Sequence, residues 1–149
     1  MDAATLNNLL VQMRYTGMPK AETDITRAWI RKHGADYDTI EFNVRLGQGP
    51  EIQPGIDPAT AQQFSKIGRK RVDIVATVHG KVDLLEVKPS MSFSGVGQLL
   101  GYFHLWQQTY PAVPVRRLVA IAQLIDTEVR QLLINHGIEF EELQPEVLP

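Results

Sequence analysis

The segment VDIVATVHGKVDLLEVK (residues 72–88) is largely apolar, yet Asp73 lies at its start and Glu86 and Lys88 lie at its end. A two-residue hairpin turn at its His-Gly pair would place Asp73 directly opposite Glu86 on the neighbouring strand. Opposed side chains share one face of a sheet with their Cβ atoms about 5 Å apart, and alternation puts Lys88 on that face too. The spacing therefore predicts two carboxylates and an ammonium group close together.

Two carboxylates at this separation repel each other unless a positive charge lies between them. Lys88 could supply that charge, but a divalent cation suits the site better, because Mg²⁺ and Mn²⁺ prefer hard oxygen ligands. The alternative is a cross-strand salt-bridge cluster at one end of a sheet. The residues alone leave both interpretations open.

Two predicted helices carry further polar side chains that could reach this site. Glu22 shares a helical face with Trp29 and should point inward, whereas Asp24 shares a face with Arg27 and should point to solvent. An acid in the first turn that stabilises the helix dipole is the alternative for Glu22. On a later helix, Gln98 and Tyr102 lie four residues apart, on a face that can look toward the hairpin or simply form helix surface.

The order of elements predicts a three-layer α/β sandwich with a central mixed β-sheet. Two helices precede a strand at 39–47, on which Ile40, Phe42, Val44 and Leu46 should share one face. The hairpin follows, then a helix, a buried strand at 115–124 that should pair in parallel, a helix and a short strand. Near-continuous apolar residues predict central strands that are buried on both faces.

Composition narrows the classes of function. The 149 residues fit one domain (1–149), and the 44% of apolar residues allow one substantial core. The absence of cysteine excludes disulfides and thiolate metal sites. No apolar run is long enough to cross a membrane and no secretory signal is visible, so we expect an intracellular, cytoplasmic protein without a membrane partner.

The net charge of −2 means that any nucleic-acid binding requires a local basic patch. The segment SKIGRKR supplies one immediately before the hairpin, and strand alternation would put its last arginine on the face of Asp73. A solvated loop is the alternative interpretation. The candidate nucleic-acid-binding residues are Lys66, Arg69, Lys70 and Arg71.

Asp73 followed by Glu86-Val87-Lys88 on the next strand resembles the D…(D/E)-x-K signature of the PD-(D/E)XK nuclease superfamily, which has a restriction-endonuclease-like αβββαβ core. The resemblance covers about residues 22–123. Glu22 is similar to the acid that many members carry on the preceding helix. Gln98 and Tyr102 resemble the Q-x-x-x-Y helix of the RecB-like branch.

This resemblance implies a Mg²⁺- or Mn²⁺-dependent deoxyribonuclease that hydrolyses DNA phosphodiester bonds. Asp73, Glu86 and the carbonyl of Val87 would hold the metal, with Glu22 completing its shell. Lys88 would orient the attacking water. Gln98 would position Lys88, a water or the phosphate. Tyr102 would support Lys88 or contact the backbone.

Two alternatives to a deoxyribonuclease stay open, an RNA endonuclease and a catalytically inactive nucleic-acid-binding or assembly module of the same fold. A small-molecule hydrolase is disfavoured, because no Ser-His-Asp set or Gly-rich phosphate loop is visible. DNA is the expected partner. Both a homo-oligomer and a larger nucleoprotein complex are compatible with the sequence.

Overall fold

The structure is a computed structural model that describes residues 1–47, 54–60, 62 and 70–149. The helices whose bounds are described are α1 (Ala3–Leu10), α2 (Lys20–His33), α3 (Phe93–Thr109) and α4 (Thr127–Asn135), with a 3-10 turn at Gly34–Asp36. Residues 58–60 are also helical. The strands are β1 (Thr39–Leu46), β2 (Lys70–Val78), β3 (Lys81–Met91), β4 (Val115–Ile125) and β5 (Glu139–Glu142). Over the described ranges, every helix is too short or too polar to cross a bilayer.

The strands form one mixed sheet in the order β1-β2-β3-β4-β5. β1, β2 and β3 are an antiparallel meander, and β4 and β5 each pair in parallel with the strand before them. One buried cluster on the sheet includes side chains of α3 and α4, and a second cluster includes side chains of α2. The predicted three-layer sandwich with its αβββαβ order is therefore confirmed.

Side-chain caps fix where most helices begin. Asp2, Ser92 and Asp126 each accept a hydrogen bond from a backbone N–H in the first turn of α1, α3 and α4. α1 ends at Leu10. The reason is Tyr15, which is buried, stacks on Phe42 and donates its hydroxyl to the carbonyl of Leu9, so that the chain must turn back after α1.

The core follows from the strand alternation of β3. Leu84 packs in the cluster that includes α3, and its neighbour Leu85 packs in the cluster that includes α2, both with no exposed surface. Neither face of such a strand contacts water, so apolar residues are favoured at nearly every position of its sequence. The prediction of central strands buried on both sides is confirmed.

The prediction that the apolar residues of β1 share one face is wrong. Ile40 and Phe42 pack against the α2-side cluster, whereas Val44 and Leu46 pack in the α3-side cluster. Asn43 lies between them with a left-handed backbone, φ 56°, and this conformation interrupts the alternation of side chains.

β2 changes faces at the matching place. Val72 belongs to the α3-side cluster and Ile74 to the α2-side cluster. The two residues pair with Val44 and Phe42 of β1 respectively, so the switch lies at Asp73 and involves both strands.

The prediction that Asp24 points to solvent is also wrong. Its carboxylate is buried and pairs with Lys20 and with Arg27, whose side chain is only 1% exposed. The C-terminal segment lies over this helical face, where the backbone N–H of Glu146 donates to the carbonyl of Asp24 at 2.9 Å. A segment so distant in sequence cannot be inferred from helical periodicity.

The outer strand β5 is attached to the molecule largely through charged groups. Glu139 pairs with Arg117 of β4, and Glu142 pairs with Arg130 of α4. Glu141 pairs with Lys32 and His33 of α2. Each carboxylate of this four-residue edge strand thus has a basic partner on a neighbouring element.

Candidate active site

The β2–β3 hairpin has the predicted register. Val78 pairs with Lys81, and the ladder continues in step to Ile74 and Leu85. The turn consists of His79 and Gly80, with φ 50° and 73°, the left-handed conformations that a tight two-residue hairpin needs. One further step in this register brings Asp73 opposite Glu86.

The backbone ladder ends before this step, and a hydrogen bond from a side chain links the two strands instead. Oδ2 of Asp73 accepts a hydrogen bond of 2.9 Å from the backbone N–H of Val87, so the carboxylate bridges from β2 to β3. Glu86 is 1% exposed, and its Oε1 lies 3.1 Å from Nζ of Lys88. Its other oxygen, Oε2, is buried without a hydrogen-bond partner in the described structure.

Glu22 reaches the same place from the N-terminal turn of α2. Its Oε1 lies 4.0 Å from Nζ of Lys88, and its side chain is 15% exposed. The inward orientation inferred from its helical face is therefore what the structure shows. Glu22, Asp73, Glu86 and Lys88 come from three elements and form one cluster.

The electrostatics of this cluster are dominated by crowded negative charge. Burial and then the charge of Asp73 raise the pKa of Glu86 to about 8, although Lys88 opposes the shift. Burial also raises the pKa of Asp73 and, together with Asp73, that of Glu22. Burial acts to lower the pKa of Lys88, but the surrounding carboxylates outweigh it and hold that pKa above its usual value. A single ammonium group does not balance three acids, so the cluster favours an added cation.

Gln98 and Tyr102 of α3 border the cluster on the side of Glu86. The amide of Gln98 donates to the Tyr102 hydroxyl at 3.4 Å, and Tyr102 is buried. Burial, followed by the charges of Glu86 and Asp73, raises the pKa of Tyr102. The structure thus brings both predicted helix residues to the same site as the four charged residues.

A groove of about 460 Å³ runs along α3 beside this site. A side chain added at Gly97 or Gly101 would meet nothing within 4 Å, so the two glycines keep the groove open. The residues that line it are Lys70, Ser94, Gly97, Gln98, Gly101, Tyr102, His104 and Leu105. The groove joins Gln98 of the candidate site to Lys70 of the predicted basic patch.

The basic patch is only partly within the described structure. Lys70 is exposed and lines the groove, and Arg71 is half-buried. Lys66 and Arg69 lie outside the described residues. Because Val72 and Ile74 pack on opposite faces, the simple alternation used to place Arg71 beside Asp73 does not hold here.

The donor set fits a hard divalent cation. Asp73 and Glu86 provide neighbouring carboxylates, and the buried Oε2 of Glu86 makes no hydrogen bond to the described residues, although the Tyr102 hydroxyl lies next to this carboxylate. Within the described ranges, no three Asp, Glu, His or Cys side chains are arranged to hold a metal by themselves. The residues that would hold one here are Asp73 and Glu86 with a backbone carbonyl, beside the ammonium of Lys88.

A second buried charged cluster, which the sequence did not reveal, lies near the other end of β3. Asp83 has no exposed surface and accepts hydrogen bonds of 2.6 Å from Arg116 and from the Tyr37 hydroxyl, and of 2.9 Å from Arg117. Burial alone would raise the pKa of Asp83, but these donors hold it below its usual value. An acid within an apolar strand and an Arg-Arg pair entering the next strand were the available signals. Their partners satisfy one another, which is typical of a structural cluster.

Comparison with known proteins supports the fold. No protein-family description and no curated protein matches the chain. A structure of EndoMS in complex with dsDNA is similar at 17% identity and a TM-score of 0.51, over 92% of this chain and 50% of that one. A repair endonuclease from Pyrococcus abyssi is similar at 19% identity and a TM-score of 0.48, over 89% of this chain and 50% of that one. The chain thus spans about half the length of both proteins, and the likeness to the first shows a restriction-endonuclease-like α/β fold.

Proposed function

We propose that the chain is a metal-dependent nuclease that hydrolyses DNA phosphodiester bonds at a PD-(D/E)XK-type site. One observation carries the proposal. The buried carboxylate of Glu86 has Asp73 as its cross-strand neighbour, Nζ of Lys88 at 3.1 Å, and one oxygen without a partner. Two acids and a lysine in this arrangement suit the binding of a divalent ion and the activation of water.

The carboxylates and the ammonium group would have different roles in this site. Asp73, Glu86 and the carbonyl of Val87 would hold Mg²⁺ or Mn²⁺, with Glu22 in direct or water-mediated contact. When bound, such an ion lowers the pKa of water and stabilises charge on the attacked phosphate. Lys88 presents an ammonium group that can orient the water and neutralise a developing oxyanion.

Two residues of α3 complete the proposed site. Gln98 is half-buried at the groove and can hydrogen-bond to a phosphate, to a water or to Lys88. Tyr102 is buried between Gln98 and the acids and acts as a support. Neither residue carries the chemistry, so we expect smaller losses on their substitution than for Lys88.

DNA is the proposed substrate because the groove beside the site offers a path for a strand. Lys70 lines this groove, and Lys66 and Arg69 precede it in the chain. Lysine and arginine contacts with phosphates hold a nucleic acid without regard to its sequence. The EndoMS structure of similar fold is a complex with dsDNA.

Cleavage by matched lysine variants tests the proposal. Wild-type protein with Mg²⁺ or Mn²⁺ should cut plasmid or linear DNA, and Lys88→Ala should reduce the rate by about 100-fold or more, because it removes a group that stabilises the transition state. Lys81→Ala is the control, since Lys81 is exposed at the turn end of the same strand. Circular dichroism and thermal unfolding establish that both variants fold.

The alternatives give different results in the same assay. DNA binding without metal-dependent cleavage, in wild type and Lys88→Ala alike, would indicate an inactive binding or assembly module. Faster cleavage of RNA than of DNA in matched oligonucleotides would indicate an RNA endonuclease. Cleavage by Lys88→Ala at the wild-type rate would contradict the proposed site itself.

A further inference from the structure

Two arginines face each other across the β1–β2 ladder near the candidate site. Arg45 of β1 pairs directly with Arg71 of β2. The flanking Val44, Leu46 and Val72 pack in the α3-side cluster, so strand alternation directs both arginine side chains to the opposite face of the sheet. Like charges directly opposite each other destabilise a strand pair unless an anion lies between them.

Neither guanidinium has a carboxylate partner in the described part of the chain, and Nε of Arg45 is buried without a hydrogen-bond partner. Nε of Arg27 is also buried without a partner, so the lack of a carboxylate partner is what distinguishes the pair. The arginines that are bound to acids are Arg27, Arg31, Arg116, Arg117 and Arg130. Leaving a buried donor unsatisfied costs about 1–3 kcal/mol. A ligand that accepts hydrogen bonds and carries negative charge would remove both penalties.

The location of the pair identifies the anion. Arg71 is two residues before Asp73 on β2, which corresponds to roughly 7 Å along the strand. A strand of DNA whose scissile phosphate lies at Asp73 and Glu86 would have neighbouring phosphates within reach of this distance. Guanidinium groups bind phosphate oxygens through paired, charge-assisted hydrogen bonds.

We propose that Arg45 and Arg71 form a phosphate-binding subsite that holds the DNA backbone beside the cleaved bond. This inference rests on the proposed function and adds to it a residue, Arg45, that lies outside the basic segment before β2. Lys70, on the α3 face, and the arginine pair, on the α2 face, contact the DNA from opposite sides of the sheet end. Positive charge on both sides offsets the repulsion between DNA and the crowded acids of the site.

Metal-free DNA binding tests the subsite independently of cleavage. Fluorescence anisotropy of a labelled duplex in EDTA, between about 50 and 200 mM salt, gives both the Kd and its salt dependence. We expect Arg45→Gln and Arg71→Gln each to raise Kd by about tenfold at low salt, and each to reduce the slope of log K against log salt by about 0.9. The double variant should lose about two units of slope.

Matched variants separate charge from geometry. Arg45→Lys keeps the charge, so it should keep the salt slope while losing affinity, because lysine lacks the paired donors. Lys81→Gln removes one charge at the far end of the hairpin and should leave Kd and slope unchanged. If Arg45→Gln does not fold, as judged by circular dichroism, Arg71→Gln decides the question alone.

Failure of this inference and failure of the proposed function are distinguishable. Wild-type Kd and salt slope in a folded Arg71→Gln protein would overturn the subsite, even if the wild type cleaves DNA. Absence of cleavage by wild type, together with arginine-dependent binding, would overturn the nuclease proposal and retain the subsite.

Discussion

Glu86 is held in a position where its negative charge is disfavoured. Burial and the charge of Asp73 raise the pKa of its carboxyl group to about 8, although the charge of Lys88 acts to lower it. Near neutral pH the metal-free protein therefore retains a proton at Glu86 that an exposed glutamate would have lost. The divalent ion of the proposed function would offset this penalty by neutralising the carboxylate charge.

The raised pKa of Glu86 predicts how stability depends on pH in the absence of metal. A carboxyl whose pKa is higher in the folded state binds more protons there than when unfolded, so its contribution to stability decreases as pH rises from 4.5 toward 8. Glu86→Gln cannot ionise and should gain about 4 kcal/mol relative to wild type between pH 5 and pH 8.5.

Urea unfolding in EDTA at the two pH values measures this difference. The exposed Glu41 provides the control variant Glu41→Gln, which should follow the wild-type pH profile. Parallel profiles for wild type and Glu86→Gln would show that Glu86 titrates normally.

Most of the candidate site could be predicted from the sequence because it depends on local register. A two-residue turn fixes the hairpin, and the hairpin alone brings Asp73, Glu86 and Lys88 together. The buried cluster around Asp83 was not predicted. Its partners Arg116 and Tyr37 lie outside β3, and they approach Asp83 only in the tertiary fold. Local pairing is readable from a sequence, whereas long-range partners of a buried charge are not.

At the level of the strands, the change of face at Asn43 and Asp73 separates two parts of the sheet. On one side of this point the even-numbered side chains of β1 and β2 pack in the α2-side cluster, and on the other side they pack in the α3-side cluster. The side chain of Asn43 also packs on Gly17, where an added Cβ would lie 2.4 Å from its amide nitrogen. Sequence alternation could not reveal the switch, since apolar residues continue at every second position through it.

The left-handed conformation of Asn43 can be tested with two truncations. Asn43→Gly and Asn43→Ala both remove the side-chain contact with Gly17, but only glycine adopts φ 56° without strain. We therefore expect Asn43→Ala to be less stable than Asn43→Gly by about 1 kcal/mol. Since the switch lies opposite Asp73, the proposed nuclease function adds the expectation that Asn43→Ala cleaves DNA more slowly than Asn43→Gly per folded molecule.

Thermal unfolding and cleavage rates of the two variants check this expectation. Equal stability and equal rates would mean that the strand relaxes to a regular conformation at no cost.

For the whole molecule, Arg27 connects three distant parts of the chain. It donates to the carboxylate of Asp24 at 2.7 Å, to the carbonyl of Gln12 at 2.7 Å and to the carbonyl of Glu146. These contacts hold the N-terminal loop and the C-terminal segment against α2, the helix that also carries Glu22. The i, i+3 pair was predictable from the sequence, but its burial was not, because the segment that covers it is remote in sequence.

Asp24→Asn should destabilise the protein by about 3 kcal/mol, because it leaves the buried guanidinium of Arg27 without a counter-charge. Asp36→Asn makes the same chemical change at an exposed acid and should alter stability by less than about 0.5 kcal/mol. Chemical denaturation of the two variants gives both values. A solvated Asp24, as helical periodicity alone suggested, would make the two substitutions equivalent.

The attachment of β5 has a consequence for how the protein behaves in acid. Burial opposes the shift, but Lys32 and His33 hold the pKa of Glu141 below its usual value. Protonation of Glu141 in acid would therefore weaken ion pairs that hold this short edge strand, while the apolar core of the sheet is unaffected. Detachment of β5 would uncover the backbone of β4, whose Ala120, Ile121 and Ala122 are fully buried. An uncovered strand of this composition is a template for pairing with another chain. Loss of protein to aggregation at low pH should therefore begin at this edge, before the hairpin that carries the site comes apart.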